Sequence, residues 1–179
     1  MFWFNTQYTH MVQSKSFLDE QDLSMLEERL ESISWEDGEA ENMEIRSSQI
    51  KWIHAGDPIF QKVGQFILEQ NVKFQKTIYG IEPLQFTTYH AEENGRYGAH
   101  YDNKSFMGGY ERKLSFSIQL SDDSEYDGGD MVIYNPDPIP MSRNKGSMMV
   151  FDSGLLHEVK PVTKGIRKSL VGWVFGPRT

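Results

Sequence analysis

The chain has 179 residues, 38% hydrophobic and 13% aromatic, which suits a core of ordinary domain size and excludes a disordered chain. It has no cysteine, so disulfides, thiolate metal sites, iron–sulfur clusters and a cysteine nucleophile are excluded. Formal net charge is −8 with no evident basic stripe, which argues against a nucleic-acid partner.

The opening MFWFNTQYTH has no basic n-region and no apolar run of h-region length. No segment approaches the roughly 18 apolar residues of a membrane span. The expectation is a cytoplasmic protein with no membrane partner. Residues 19–44 carry eleven Asp and Glu against one Arg, read as a solvated helix face and loop. In SFLDEQDLSMLEERLESI, Leu23, Leu26, Leu30 and Ile33 recur at helical spacing, with Asp19 as N-cap and Asp22 three residues on. EIRSSQIKWI predicts a strand. DPIFQKVGQFILEQN predicts a second helix, capped by Asp57 with Pro58 at its first position and Phe60, Val63 and Ile67 on one face.

From about residue 84 the texture changes to short strands separated by Gly, Pro, Asp and Asn: LQFTTYH, GAHYD, RKLSFSIQL, DMVIY, SMMVFD, LHEVKPV and RKSLVGWVF. The GG at 128–129 reads as a turn before a strand. The predicted fold is mainly β, a jelly roll, with the N-terminal helices packed on one outer sheet. Residues 1–179 form one expected domain, with 1–75 as support and 84–177 as the β core. In RKLSFSIQL, Leu114, Phe116, Ile118 and Leu120 share one face; Ser115, Ser117 and Gln119 share the other. Such a polar face belongs either to a surface strand or to the lining of a ligand-holding barrel.

RYGAHYDNK holds His100 and Asp102 two apart. With 5 His and 26 acidic residues, roughly 0.7 such pairs arise by chance, so the spacing alone decides nothing. On a strand the two side chains point to the same side and can reach one ion, while Tyr101 points away. A third ligand must come from another strand, and His90 and His157 are the candidates. Two imidazoles and one carboxylate leave three open positions on a metal, an arrangement suited to Fe(II) oxygenases. A 2-oxo acid cosubstrate also requires a buried cation for its distal carboxylate. Arg167, ten residues after His157, shares a strand face with Ser169 and Trp173, while Lys168 points away. Arg96 and Tyr97 lie in a glycine-flanked loop near the metal strand, where they can line a substrate mouth.

HYD (100–102), DGGDMVIY (127–134), GSMMVFDSGLLHEVKPVTKGIR (146–167) and LVGWVFGP (170–177) resemble the Fe(II)/2-oxoglutarate-dependent dioxygenase superfamily, in its prolyl 4-hydroxylase and PKHD-type hydroxylase branch. The resemblance covers roughly residues 84–177. It implies a double-stranded β-helix, cupin-like in build. It implies iron at His100, Asp102 and His157, which together carry the catalysis. It implies 2-oxoglutarate at Arg167, with Tyr89 on the same carboxylate and Gln119 and Ser169 in its pocket. It sets Ser115, Ser117 and Gln119 facing inward, and Trp173 on the substrate side. The cofactors implied are Fe(II), 2-oxoglutarate and O2, with ascorbate as an accessory. The activity implied is hydroxylation of a prolyl residue in a peptide or protein, with release of succinate and CO2. A free amino acid or lysyl substrate stays open. The rival is a cupin-like metal-binding module or isomerase, which explains the three ligands but not Arg167. The sequence does not fix oligomeric state.

Overall fold

The computed structural model describes residues 9–34, 36–37, 46–106 and 108–178. The opening decapeptide up to Tyr8, much of the acidic stretch after Ser34, and the first two residues of the predicted EIRSSQIKWI strand lie outside them.

Helix α1 (Glu20–Glu31) starts where the sequence places its cap. The Asp19 carboxylate accepts from the Asp22 amide at 2.9 Å, and Asp22 accepts from the Asp19 amide at 3.0 Å. This reciprocal box satisfies two amides that the first helical turn would leave unpaired. Helix α2 (Pro58–Phe74) begins with Pro58 behind Asp57, whose carboxylate accepts from the Ile59 amide. It stops at Gln75, which adopts the left-handed conformation. Leu26 and Leu30 of α1 and Ile59, Val63, Ile67 and Phe74 of α2 are buried together. Phe60 packs at the margin, partly buried.

The strands are β1 (Met11–Ser14), β2 (Glu36–Asp37), β3 (Arg46–Ser47), β4 (Gln49–Ile53), β5 (Gly80–Ile81), β6 (Leu84–His90), β7 (Arg96–His100) and β8 (Ser105–Phe106). After these come β9 (Tyr110–Gln119), β10 (Tyr126–Gly128), β11 (Met131–Asn135), β12 (Asp137–Pro140), β13 (Met148–Asp152), β14 (Leu156–Val159) and β15 (Val162–Pro177). The larger sheet runs β1-β13-β9-β15-β6-β4-β2, and the smaller runs β12-β11-β14-β7-β3. Every pairing among the described residues is antiparallel. The two sheets face each other as a double-stranded β-helix.

Strand parity sorts the interior into two layers. Leu114, Phe116 and Ile118 of β9, Leu84 and Phe86 of β6, and Leu170 and Val174 of β15 face the helices. The opposite face of the larger sheet looks toward the smaller one. There Met149 and Phe151 of β13 and Tyr89 of β6 pack with Ile133 of β11 and Val159 of β14. The helices therefore sit on the outer face of the larger sheet, as expected, and leave its inner face for a site.

Two predicted strands are divided. EIRSSQIKWI gives β3, paired with β7 in the smaller sheet, and β4, paired with β6 in the larger. The chain crosses between sheets at Ser48, which no local pattern signals. LHEVKPV ends as a strand at Val159, and β15 begins at Val162. Pro161, lacking an N–H, cannot extend a ladder, and its carbonyl instead accepts from the Gly129 amide at 2.9 Å.

Candidate active site

His100 ends β7 and His157 lies on β14, and the two are direct partners across that pair of strands. Each ring is oriented by its own backbone. His100 Nδ1 lies 2.7 Å from the Gly98 carbonyl, and His157 Nδ1 lies 2.9 Å from the Leu155 carbonyl. A carbonyl only accepts, so each Nδ1 carries the proton and each Nε2 keeps its lone pair for a metal. Tyr97 stacks on the His100 ring at 3.7 Å between centroids, 18° from parallel, which further fixes its plane.

Asp102 corrects one expectation. It does not share a strand with His100, because β7 ends at His100. The Asp102 amide bonds the Ser153 carbonyl at 3.0 Å, and its carboxylate is drawn to the larger sheet. Oδ2 accepts from Ser115 Oγ and from Trp173 Nε1, each at 2.8 Å. Oδ2 also lies 3.2 Å from His157 Nε2, and Oδ1 lies 3.6 Å from His100 Nε2. The carboxylate thus bridges the two sheets, with Oδ2 held by two donors beside His157 and Oδ1 turned toward His100. Burial alone would raise its pKa. When the imidazoles also carry a proton on Nε2, where a metal would otherwise sit, the hydrogen bond and charge of His157, the charge of His100 and the Trp173 N–H outweigh burial and hold it well below the usual carboxylate range. The group is an anion at any working pH. One donor atom from each of His100, Asp102 and His157 lies within 4.8 Å of the others. Two neutral imidazoles and a carboxylate at that separation fit a divalent first-row metal with open positions. Tyr101 is 55% exposed and lines the same cavity without belonging to the triad.

The triad opens into a cavity of about 420 Å³ between the sheets. Arg167, also on its wall, is only 2% exposed. Among the described residues it has no carboxylate partner: Nη1 donates to Ser169 Oγ at 3.3 Å, and Cζ lies 5.7 Å from the Tyr89 ring centroid. Tyr89 and Arg167 face each other across the β6–β15 ladder, which sets Tyr89 beside the cation. Gly129 supports this arrangement. Its φ is +65°, and a Cβ there would meet Arg167 Cδ at 3.2 Å and Val162 at 2.8 Å. The expected turn is thus corrected: Gly128 ends β10, and Gly129 after it clears space for the arginine.

Ser115, Ser117, Ser169, Tyr97 and Trp173 all line the cavity, but Gln119 and Arg96 do not. Gln119 is buried on the expected face, but its amide donates to the Tyr126 hydroxyl and the Ser121 carbonyl. Arg96 alternates with Tyr97 along β7 and donates to the Asn94 carbonyl. His90 belongs elsewhere, with Nε2 3.2 Å from Thr88 Oγ1. Three participants escaped the sequence reading. Ser153 Oγ bonds Ser115 Oγ at 2.9 Å behind the carboxylate. Arg112 lies 3.9 Å over the Trp173 ring, and Glu82 holds it in a bidentate pair at 2.7 and 2.6 Å. Only Arg112's place on the strand that carries Ser115 could have pointed to it.

Fold and site together define a double-stranded β-helix with a two-histidine, one-carboxylate cluster and a buried cation on the wall of the same cavity. Comparison with known proteins places the chain further. Residues 84–175 match the 2OG-Fe(II) oxygenase superfamily. A PKHD-type hydroxylase from Acidovorax ebreus is 30% identical over 165 residues, covering 83% of this chain and 70% of the relative. One from Crocosphaera subtropica is 35% identical over 113 residues, covering 60% and 50%. The chain therefore spans about half the length of some relatives that it matches. Among solved structures, a Pseudomonas putida prolyl-4-hydroxylase superposes with a TM-score of 0.74 at 22% identity, covering 96% of this chain and 94% of that one. A Trichoplax adhaerens prolyl hydroxylase, in complex with a hypoxia inducible factor oxygen degradation domain peptide fragment, gives 0.75 at 18%, covering 93% and 83%. The chain belongs to the 2OG-Fe(II) oxygenase superfamily.

Proposed function

We propose that the protein hydroxylates an unactivated C–H of a prolyl residue in a peptide or protein, consuming 2-oxoglutarate and O2 and releasing succinate and CO2. The observation that carries the cosubstrate assignment is Arg167: a buried cation without a carboxylate partner among the described residues, in the same cavity as the metal triad. A cupin-like metal module has no use for it. The prolyl assignment is supported by the PKHD-type hydroxylase relatives and by the prolyl hydroxylases that share the fold.

His100, Asp102 and His157 would hold Fe(II), whose chemistry is to activate O2 through oxidative decarboxylation of the 2-oxo acid. The rest is done by the chain. The Nδ1–H bonds fix both imidazoles before metal arrives. Ser115 and Trp173 hold the Asp102 rotamer, so that its free oxygen is presented without reorganisation. Arg167 receives the distal carboxylate, with Tyr89 and Ser169 beside it, and so sets which end of the diacid meets the metal. Tyr97 and Trp173 form apolar walls near the triad, suited to seating a pyrrolidine ring and excluding water from the reacting C–H. The test is a screen of proline-containing peptides and free amino acids with Fe(II), 2-oxoglutarate and O2, reading succinate and a +16 mass shift. Succinate with +16 on a peptidyl proline supports the reading. Succinate with +16 only on free amino acids overturns the peptide assignment, and no succinate with any substrate overturns the oxygenase.

A further inference from the structure

Ser117 sits on β9 on the cavity wall, fully buried, and its Oγ has no hydrogen-bond partner among the described residues. A buried hydroxyl left unpaired is unfavourable, and native proteins satisfy nearly all such groups. Its neighbours are satisfied. Ser115 Oγ bonds Asp102, and Ser169 Oγ accepts from Arg167.

The ladder shows what Ser117 faces. Across β9 and β15, Ser115 pairs with Trp173, Ser117 with Val171, and Gln119 with Ser169. Ser115 therefore marks the metal end of this face and Ser169 the cation end. Ser117 stands between them, about 6–7 Å along the strand from Ser115 and about 7–8 Å diagonally from Ser169. Its other flank is Met149 of β13, which offers no strong acceptor. A diacid stretched from the triad to Arg167 must pass over Ser117. Of its acceptor oxygens, those at the triad are directed to the metal. Those at Arg167 are bound by donors on one side and have spare lone pairs.

We propose that the Ser117 hydroxyl is an additional donor to the distal carboxylate of 2-oxoglutarate, working beside Arg167. This rests on the oxygenase reading and adds to it a binding residue on a different strand from Arg167 and Tyr89. A carboxylate held by donors from β15, β6 and β9 is gripped from three directions, which favours a diacid of one length over shorter keto acids.

Titration calorimetry on the full chain loaded with Mn(II) without O2 tests it, using 2-oxoglutarate and glutarate, the diacid lacking the oxo group. Ser117→Ala should weaken 2-oxoglutarate about 5–30-fold and glutarate by a similar factor, with Mn(II) affinity unchanged. Ser117→Cys keeps the size with a poor donor; it should show a comparable loss, and serves if the alanine variant does not fold. Unchanged 2-oxoglutarate affinity in these variants overturns the proposal. So does a loss confined to 2-oxoglutarate, which assigns the hydroxyl to the oxo end. Arg167→Met, measured alongside, separates the failures. If it weakens the diacids and the Ser117 variants do not, only this inference falls. If it too is without effect, the oxygenase reading falls with it.

Discussion

Arg167→Met keeps the length and burial of the side chain and removes its charge. In the native protein the guanidinium is 2% exposed, so solvent does not screen its interaction with a bound carboxylate. A charge-assisted hydrogen bond of this kind contributes roughly 1.5–3 kcal/mol. Truncating one partner of a buried pair costs about 2–5 kcal/mol. A loss of about 3–4 kcal/mol corresponds to 2-oxoglutarate binding about 10²–10³-fold more weakly, at about 1.4 kcal/mol per tenfold. The ligand-free protein should respond in the opposite sense. There the cation is buried without a carboxylate, so its removal should leave stability unchanged or raise it. Thermal melting with and without 2-oxoglutarate reads both effects. At 100 times the dissociation constant the native protein gains about 2.7 kcal/mol, or about 5–10 °C for a chain of this size. The variant should start at the same or a higher melting temperature and gain almost nothing at that ligand concentration. A variant that binds 2-oxoglutarate within threefold of native would refute the assignment. So would one that loses metal affinity in parallel, since Arg167 is placed at the far end of the cavity.

His157→Ala should abolish tight Fe(II) binding, measured by calorimetry without O2, while the fold survives in the far-ultraviolet CD spectrum. Arg112→Met should free the Trp173 indole that it covers and weaken metal binding about 2–10-fold, because Trp173 is one of two donors that set the Asp102 carboxylate; equal metal affinity would show that Ser115 suffices. The Asp22 carboxyl is lowered: burial opposes this, but the hydrogen bond and charge of Lys62 prevail. A lowered group adds stability that is present above its unfolded value near 3.9 and is lost as pH falls through the folded value. Lys62→Met should therefore flatten the acid limb of urea stability below about pH 4. Because Lys62 is 39% exposed, the difference at neutral pH should stay below about 1 kcal/mol.

Much of the site was legible because its parts obey local rules. Strand parity grouped Ser115 with Ser117, and Ser169 with Trp173 opposite Lys168, and the family resemblance turned those faces inward. Caps at Asp19 and Asp57 fixed both helix starts. What failed needed distance information. Asp102 leaves the strand because Ser115, Ser153 and Trp173, all remote in sequence, draw it to the other sheet. Gln119 has the right face, but its end of β9 is closed by Tyr126, and parity does not say where along a strand a cavity stops. Arg96 and Tyr97, expected in a loop, instead open β7, where alternation lets only Tyr97 face the cavity. Arg112 reaches the site through a stack on Trp173 and a bidentate pair with Glu82, thirty residues earlier, which no spacing rule encodes.

The most direct test of the account is the visible spectrum of the full chain with Fe(II) and 2-oxoglutarate in the absence of O2. The triad and Arg167 acting on one diacid predict a weak metal-to-ligand absorption band that is missing with Fe(II) alone and missing in Arg167→Met at the same concentrations. A folded, metal-loaded sample that shows no band at saturating 2-oxoglutarate would contradict it.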